Sequence, residues 1–153
     1  MVDWKHIAED SPEFAAAVQA RFESGTNKTL ATLRADGSPR ISGIELKFEG
    51  GRITLGMMAG SRKLADVQRD PRVAIHSPTL EPPEGKPAEW VGEAKLSGRL
   101  VPMPPPAEDA VADAGYFRLD IAEAVHTKVD ETASFLLVES WTDNRGYRRI
   151  ERE

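Results

Sequence analysis

Short strand-like segments separated by tight turns recur along most of this chain, and they constrain its fold more than any other feature. Thr29–Ala35 and Arg40–Phe48 flank Asp36-Gly37, a dipeptide typical of a two-residue hairpin turn. Glu49-Gly50-Gly51 makes a second tight turn into a strand predicted at Arg52–Met58. Two successive hairpins of this kind predict antiparallel strand pairing.

The rest of the chain continues this pattern. Further strands are predicted at Arg72–Ser77, Glu89–Val101, Phe117–Val129, Ser134–Trp141 and Gly146–Glu151, with a bulge at Ser97-Gly98 and a proline-rich loop at Pro78–Pro87. Six or more strands in meander order, joined by hairpin turns, predict an antiparallel barrel. The absence of a βαβ rhythm excludes the doubly wound sheet that commonly binds dinucleotides.

A few short helices are predicted beside the barrel. Ser11-Pro12-Glu13 supplies an N-cap, a first-turn proline and an acidic residue, and Phe14, Val18 and Phe22 then share one helical face. Two further helices are predicted at Leu64–Arg69 and Ala107–Ala114. The fold class is therefore mainly β, of the α+β kind.

Length and composition limit the function. The 153 residues predict a single domain, residues 1–153, and the chain has no cysteine to form a disulfide or to act as a nucleophile. The net charge of −5 without a basic face argues against a nucleic-acid partner. No run of about 18 apolar residues is present, so we expect no membrane span and a cytoplasmic setting. The three histidines are widely separated, and no metal site is predicted.

Ser61-Arg62-Lys63 follows the strand Arg52–Met58 and opens the short helix Leu64–Arg69. The first backbone N–H groups of a helix are unpaired and carry partial positive charge. Two cationic side chains at that position indicate a site for a phosphate-like anion. The alternative is a serine N-cap followed by two solvated basic residues.

Several short motifs occur together in a particular order. They are Ala31-Thr32-Leu33, Asp36-Gly37, Arg40-Ile41, Gly60-Ser61-Arg62-Lys63 and Asp70-Pro71-Arg72-Val73. Together they resemble the pyridoxamine-phosphate-oxidase family from about Leu30 to Leu100. The resemblance implies an antiparallel six-stranded split β-barrel of Greek-key type. It also implies a homodimer that holds one FMN in each of two clefts between its subunits.

The resemblance also implies a set of cofactor-binding residues. Arg62 and Lys63 would bind the FMN phosphate, with Ser61 as a hydroxyl donor, and Gly56-Met57 would run along the phosphate and ribityl side. The strand beginning at Arg40 would line the isoalloxazine ring, mostly through backbone groups; the residues concerned are Ser42, Gly43 and Ile44.

Two of these positions have alternative interpretations. Gly43 lacks a Cβ and so allows a flat ring to approach the backbone, but a glycine in a strand is equally typical of a bulge. Trp90 stands where the family has a flavin contact reached from the other subunit. The alternative for Trp90 is a residue of the barrel end or of the dimer interface. No catalytic side chain is identifiable.

Glu45 departs from the family pattern, because the true oxidases have lysine at this position. The resemblance therefore implies an FMN-dependent oxidoreductase acting on a small hydrophobic or conjugated molecule, rather than on pyridoxamine phosphate. Two alternatives stay open: a reductase that uses a deazaflavin (coenzyme F-420), and a protein that binds a flavin or haem without turnover. Phe135, Leu137 and Trp141 are predicted to be exposed strand residues that a second copy of the chain would cover.

Overall fold

The computed structural model describes residues 1–153 and is built mainly from antiparallel strands. Its strands are β1 (Lys28–Leu33), β2 (Pro39–Ile44), β3 (Lys47–Glu49), β4 (Arg52–Met57), β5 (Arg72–His76), β6 (Glu93–Pro102), β7 (Gly115–Val129), β8 (Leu136–Thr142) and β9 (Gly146–Arg152). Its helices are α1 (Trp4–Asp10), α2 (Pro12–Phe22) and α3 (Arg62–Arg69), with one 3₁₀ turn at Pro87–Glu89. The mainly β fold class is confirmed.

All the strands belong to one sheet, in the order β2-β1-β5-β6-β7-β4-β3, with β8 on β7 and β9 on β8. The long strand β7 makes this possible, because its beginning pairs with β4 and its end pairs with β8. The two ends of the ordered sheet, β2 and β3, are adjacent in the chain. The pairs β1–β5 and β4–β7 join strands distant in sequence, so the expectation of a simple meander was wrong. This order fits the split-barrel expectation.

The turns explain much of this topology. The hairpin predicted at Asp36-Gly37 is confirmed, and Gly37 has a φ of 84° there, but the connection between the paired Leu33 and Pro39 is longer than two residues. The predicted bulge at Ser97-Gly98 is confirmed, since the β6–β7 register shifts there. A Cβ at Gly98 would lie 2.0 Å from the carbonyl oxygen of Asp120, so only glycine fits.

The core lies between the helices and the sheet. The predicted face of α2 is confirmed, because Phe14, Val18 and Phe22 are all buried. Helix α1 was not predicted, and it also packs on the core through Trp4 and Ile7. None of the helices is long and apolar enough to cross a membrane.

Three sequence expectations need correction. The acidic helix Ala107–Ala114 is absent, and Asp109 and Asp113 there have φ values of 59° and 62°, which no right-handed helix contains. The strand expected over Arg40–Phe48 is divided into β2 and β3. Leu137 and Trp141 are buried within the chain rather than exposed, so they cannot be the reason for dimer formation.

Candidate functional site

Helix α3 begins at the end of a short connection from β4 and carries the two predicted cations. Ser61 is its N-cap, and the Oγ of Ser61 accepts a hydrogen bond of 3.3 Å from the backbone N–H of Leu64. The Nζ of Lys63 donates to the carbonyl oxygen of Gly43 at 2.7 Å, which ties the helix to β2. Arg62 is exposed and makes no hydrogen bond or ion pair within the chain. The serine cap of the second interpretation is confirmed, and the phosphate site of the first stays a prediction.

Arg62 lines a cavity of about 410 Å³ between α3 and the β1–β2 hairpin. We call it the basic cavity; its lining residues are Arg34, Ala35, Asp36, Arg40, Arg62, Ala65, Asp66 and Arg69. Four arginines and two aspartates give the lining a formal excess of two positive charges. Because the rest of the chain carries a net negative charge, this local excess is a property of the cavity and not of the whole surface.

Asp66 is the buried residue of this cavity, with 2% of its surface exposed. Its Oδ2 accepts hydrogen bonds of 2.7 Å from the Oγ1 of Thr32 and 2.7 Å from the Nε of Arg40. Its Oδ1 accepts a bond of 3.0 Å from Arg69. The hydrogen bond from Arg40 is the main cause that lowers the pKa of Asp66 below its ordinary value, and burial opposes it. A buried carboxylate is tolerated because it is paired in this way.

The exposed side of β2 adjoins α3. Gly43 is exposed, and a Cβ placed on it would meet no atom within 4 Å, so the strand surface is open there. Ile41 is 75% exposed, which is unusual for a large apolar residue in a strand. Ile44 is buried in the core, and Ser42 is partly exposed. Over residues 41–44, a ligand can therefore contact the backbone, the Ser42 side chain and the exposed Ile41 side chain.

A second cavity, of about 840 Å³, lies along β4 and the loop after β6. We call it the apolar groove; its apolar lining residues include Leu46, Leu55, Met57, Met58, Met103, Pro104, Pro106, Val111, Ala114 and Phe117. Gly56 and Glu45 also line it. The Oη of Tyr116 accepts a bond of 2.7 Å from the backbone N–H of Val111, which holds the loop after β6 against the groove.

Comparison of the sequence with models of known protein families shows the family of this chain. The model described as pyridoxamine 5'-phosphate oxidase matches residues 14–135, most of the chain. The chain belongs to this family. No sequence among the curated proteins matches it significantly.

Several solved structures share the fold at low sequence identity. PhzG from Burkholderia lata, solved with tetrahydrophenazine-1-carboxylic acid, has a TM-score of 0.66 at 12% identity, over 98% of this chain and 93% of that chain. A pyridoxamine 5'-phosphate oxidase-related, FMN binding protein from Nostoc punctiforme has a TM-score of 0.64 at 12% identity, over 94% and 96%. A structure described as F420 Reductase has a TM-score of 0.50 at 17% identity, over 69% and 94%. At these identities the likeness establishes the fold alone.

The residues expected from the family resemblance are distributed over three places. Arg40 and Arg62 line the basic cavity, and Lys63 contacts Gly43 beside it. Gly56 and Met57 line the apolar groove. Trp90 lies elsewhere, in a groove of about 780 Å³ between α2 and β7, where its Nε1 donates to the carbonyl oxygen of Leu80 at 2.6 Å. Within one chain, Trp90 therefore does not share a cavity with the other residues.

Sequence reasoning missed Thr32 and Asp66. Thr32 lies directly opposite Arg40 in the β1–β2 pair, and both side chains donate to the same oxygen of Asp66. The available signal was an aspartate within a short basic helix, but that pattern is also typical of a surface ion pair with arginines three or four residues away. Only the strand register shows which groups it contacts.

Proposed function

We propose that the protein is an FMN-dependent oxidoreductase and that the basic cavity binds the phosphate of the cofactor. One observation carries this proposal: Arg40 and Arg62 line one cavity along the side of α3, and Arg62, in the first turn of that helix, has no partner within the chain. A guanidinium group suits a phosphate because it offers several N–H donors in a fixed plane. Lys63 lies next to them and adds a third cation.

The chemistry of the available donors fits a phosphate. Arg40 uses only Nε in its bond to Asp66, so its two Nη nitrogens remain available. The Oγ of Ser61 accepts a bond as the cap but retains its own proton to donate. The backbone N–H of Leu64 is taken by the cap, and the N–H groups of Arg62 and Lys63 remain to add partial positive charge.

The open strand surface fits a flat ring. Because Gly43 has no side chain and free space above it, an aromatic ring can approach the backbone of β2 closely. The backbone groups of Ser42 and Ile44 would then orient the ring, and Gly56-Met57 would border the chain that joins ring and phosphate. A bound flavin supplies the hydride and electron transfer, and the protein contributes binding, orientation and exclusion of water.

The apolar groove supports a substrate that is small and hydrophobic or conjugated. Its accessible methionines, Met58 and Met103, adapt to ligands of different shape, since the methionine side chain is flexible and polarizable. Glu45 is exposed in the same groove and would repel a second phosphate. Its charge therefore argues against pyridoxamine phosphate as substrate.

We further propose a homodimer whose interface includes Ile41 and Met58 rather than the buried Leu137 and Trp141. Ile41 is 75% and Met58 is 65% exposed, and they lie on β2 and directly after β4, beside the proposed flavin site. Large apolar side chains at such exposure favour a covering partner or ligand. In a dimer, Trp90 could contribute to the flavin site of the second subunit, which would explain its separate groove.

A spectral titration tests the cofactor. We expect purified protein mixed with FMN to bind it and to shift its visible absorption from that of free FMN. A parallel titration with a deazaflavin decides between the two cofactors: a preference for FMN of about tenfold, or 1.4 kcal/mol, supports the proposal. A preference of about tenfold for the deazaflavin over FMN would favour the reductase alternative. Steady oxidation of an electron donor by the FMN-loaded protein would distinguish an enzyme from a binding protein.

A further inference from the structure

Asp66 sits at the boundary between the basic cavity and the core, and it organises the arginines around it. Three donors from three elements converge on its carboxylate: Thr32 from β1, Arg40 from β2 and Arg69 from α3 itself. With 4% of its side chain exposed, the carboxylate cannot exchange these donors for water. Its position is therefore fixed by contacts on every side.

Asp66 contacts one nitrogen of the Arg40 guanidinium and leaves the other two free. Only Nε of Arg40 donates to Asp66, at 2.7 Å, and neither Nη nitrogen donates to any other group of the protein. The Arg40 side chain is 19% exposed, so it is held along its length while its end reaches the basic cavity. A guanidinium held through Nε has its two Nη nitrogens left for a second acceptor.

Two other arginines of the cavity, Arg34 and Arg69, are each held through one Nη nitrogen, whereas Arg40 is held through Nε. Arg69 donates from Nη2 both to Asp66 and to the carbonyl oxygen of Leu33. Arg34 donates to the carbonyl oxygen of Pro39 and to Ser38 within its own hairpin. Arg40 is therefore the one of these three arginines that keeps both Nη nitrogens free, and it shares the cavity with Arg62, which has no partner within the chain.

We propose that Asp66 is a positioning residue of the phosphate site: by binding Nε of Arg40, it directs the Nη donors of Arg40 into the basic cavity beside Arg62. The inference rests on the proposed function, since it assigns a role toward the cofactor phosphate. Its physical basis is that a flexible arginine already ordered in the free protein loses less freedom when it binds an anion. Asp66 removes one charge from the cavity, yet the lining remains net positive.

The test compares FMN with riboflavin, which has the same ring system and no phosphate. The readout is the dissociation constant of each flavin, from quenching of flavin fluorescence, for the wild-type chain and for Asp66→Ala, Asp66→Leu and Arg40→Ala. We expect both Asp66 variants to lower the preference for FMN over riboflavin by at least about tenfold while riboflavin affinity stays unchanged. Asp66→Leu fills the vacated volume, so it keeps the test decisive if the alanine variant does not fold.

Two further variants separate positioning from a general structural role. Asp66→Asn retains one acceptor oxygen for Arg40, and we expect it to keep more of the FMN preference than Asp66→Ala. In the Arg40→Ala background, Asp66→Ala should cause no further loss of FMN preference, because the residue through which Asp66 acts is already gone.

The inference is overturned if the Asp66 variants weaken FMN and riboflavin equally, if Asp66→Asn loses as much preference as Asp66→Ala, or if the losses at Asp66 and Arg40 add. In each of these cases a wild-type preference for FMN would leave the proposed function standing. A wild-type chain that binds FMN no better than riboflavin would instead remove the phosphate site, and this inference with it.

Discussion

Replacement of Gly43 by alanine separates the stability of the free protein from the approach of a flavin ring. Gly43 lies in β2 opposite Thr29, its φ is not in the left-handed region, and a Cβ would meet nothing within 4 Å. Alanine should therefore fit without strain and raise the free energy of unfolding by about 0.5–1 kcal/mol, because the unfolded chain loses freedom. In a domain of this size the melting temperature would rise by roughly 1–4 °C.

The same methyl group should weaken flavin binding. It occupies the open surface against which we propose that the ring packs, and an extra methyl group in a close-packed contact costs about 1–3 kcal/mol. That cost corresponds to roughly a 5- to 150-fold increase in the dissociation constant of FMN. The assays are thermal unfolding followed by circular dichroism and titration of FMN fluorescence.

Gly146 provides the matched control. It also has open space around its Cβ position, but its φ of 66° in the β8–β9 turn is unfavourable for alanine. Gly146→Ala should therefore lower stability by about 1–2 kcal/mol and leave FMN affinity unchanged, the reverse of the pattern at Gly43. A Gly43→Ala protein that binds FMN as tightly as the wild-type chain would refute the placement of the ring on β2.

Other predictions follow from the described contacts. Gly98→Ala forces a Cβ to within 2.0 Å of the Asp120 carbonyl oxygen, so we expect a loss near the upper end of about 1–3 kcal/mol and a melting temperature lower by roughly 6–12 °C; an unchanged melting temperature would contradict the bulge geometry. Burial lowers the pKa of His126 although Glu139 raises it. As pH falls, His126 is therefore protonated in the unfolded chain before it is protonated in the folded chain. We expect the free energy of unfolding to decrease as pH drops below about 6.5, and to level off below the folded-state pKa of His126. An NMR titration of the His126 ring with a midpoint at or above about 6.5 would refute this. The chain should sediment at micromolar concentration as a dimer with twice its 16.8 kDa mass, and a monomer would contradict the proposed subunit interface.

The sequence predicted the β-rich fold because its signals are local. The Asp36-Gly37 turn, the Ser97-Gly98 bulge and the cap at Ser61 each depend on residues close together in the chain, and each is found. Tertiary packing explains the failures. Helix α1 has seven residues and no capping hydrogen bond from its N-cap side chain, and it is stabilised by burial of Trp4 and Ile7.

The predicted position of the two cations at the start of a helix is confirmed, their role toward a phosphate stays a prediction, and the residues that surround them were missed. The positions of Arg62 and Lys63 at the start of a helix could be inferred from neighbouring residues alone. Asp66 could not be assigned a role, because its partners Thr32 and Arg40 are 34 and 26 residues away in sequence. Only the pairing of β1 with β2 and the packing of α3 on them bring these three residues together.

The affinity for FMN of the double variant Arg62→Ala/Lys63→Ala tests the central claim most directly. The claim predicts that the wild-type chain binds one FMN per subunit and that the double variant binds it at least about tenfold more weakly, since each charge-assisted hydrogen bond contributes about 1.5–3 kcal/mol. Arg145→Ala/Arg152→Ala removes the same charge from two exposed arginines of the β8–β9 hairpin and should leave the affinity unchanged. The claim is contradicted if Arg62→Ala/Lys63→Ala binds FMN as tightly as the wild-type chain. It is also contradicted if both double variants lose the same amount of FMN affinity.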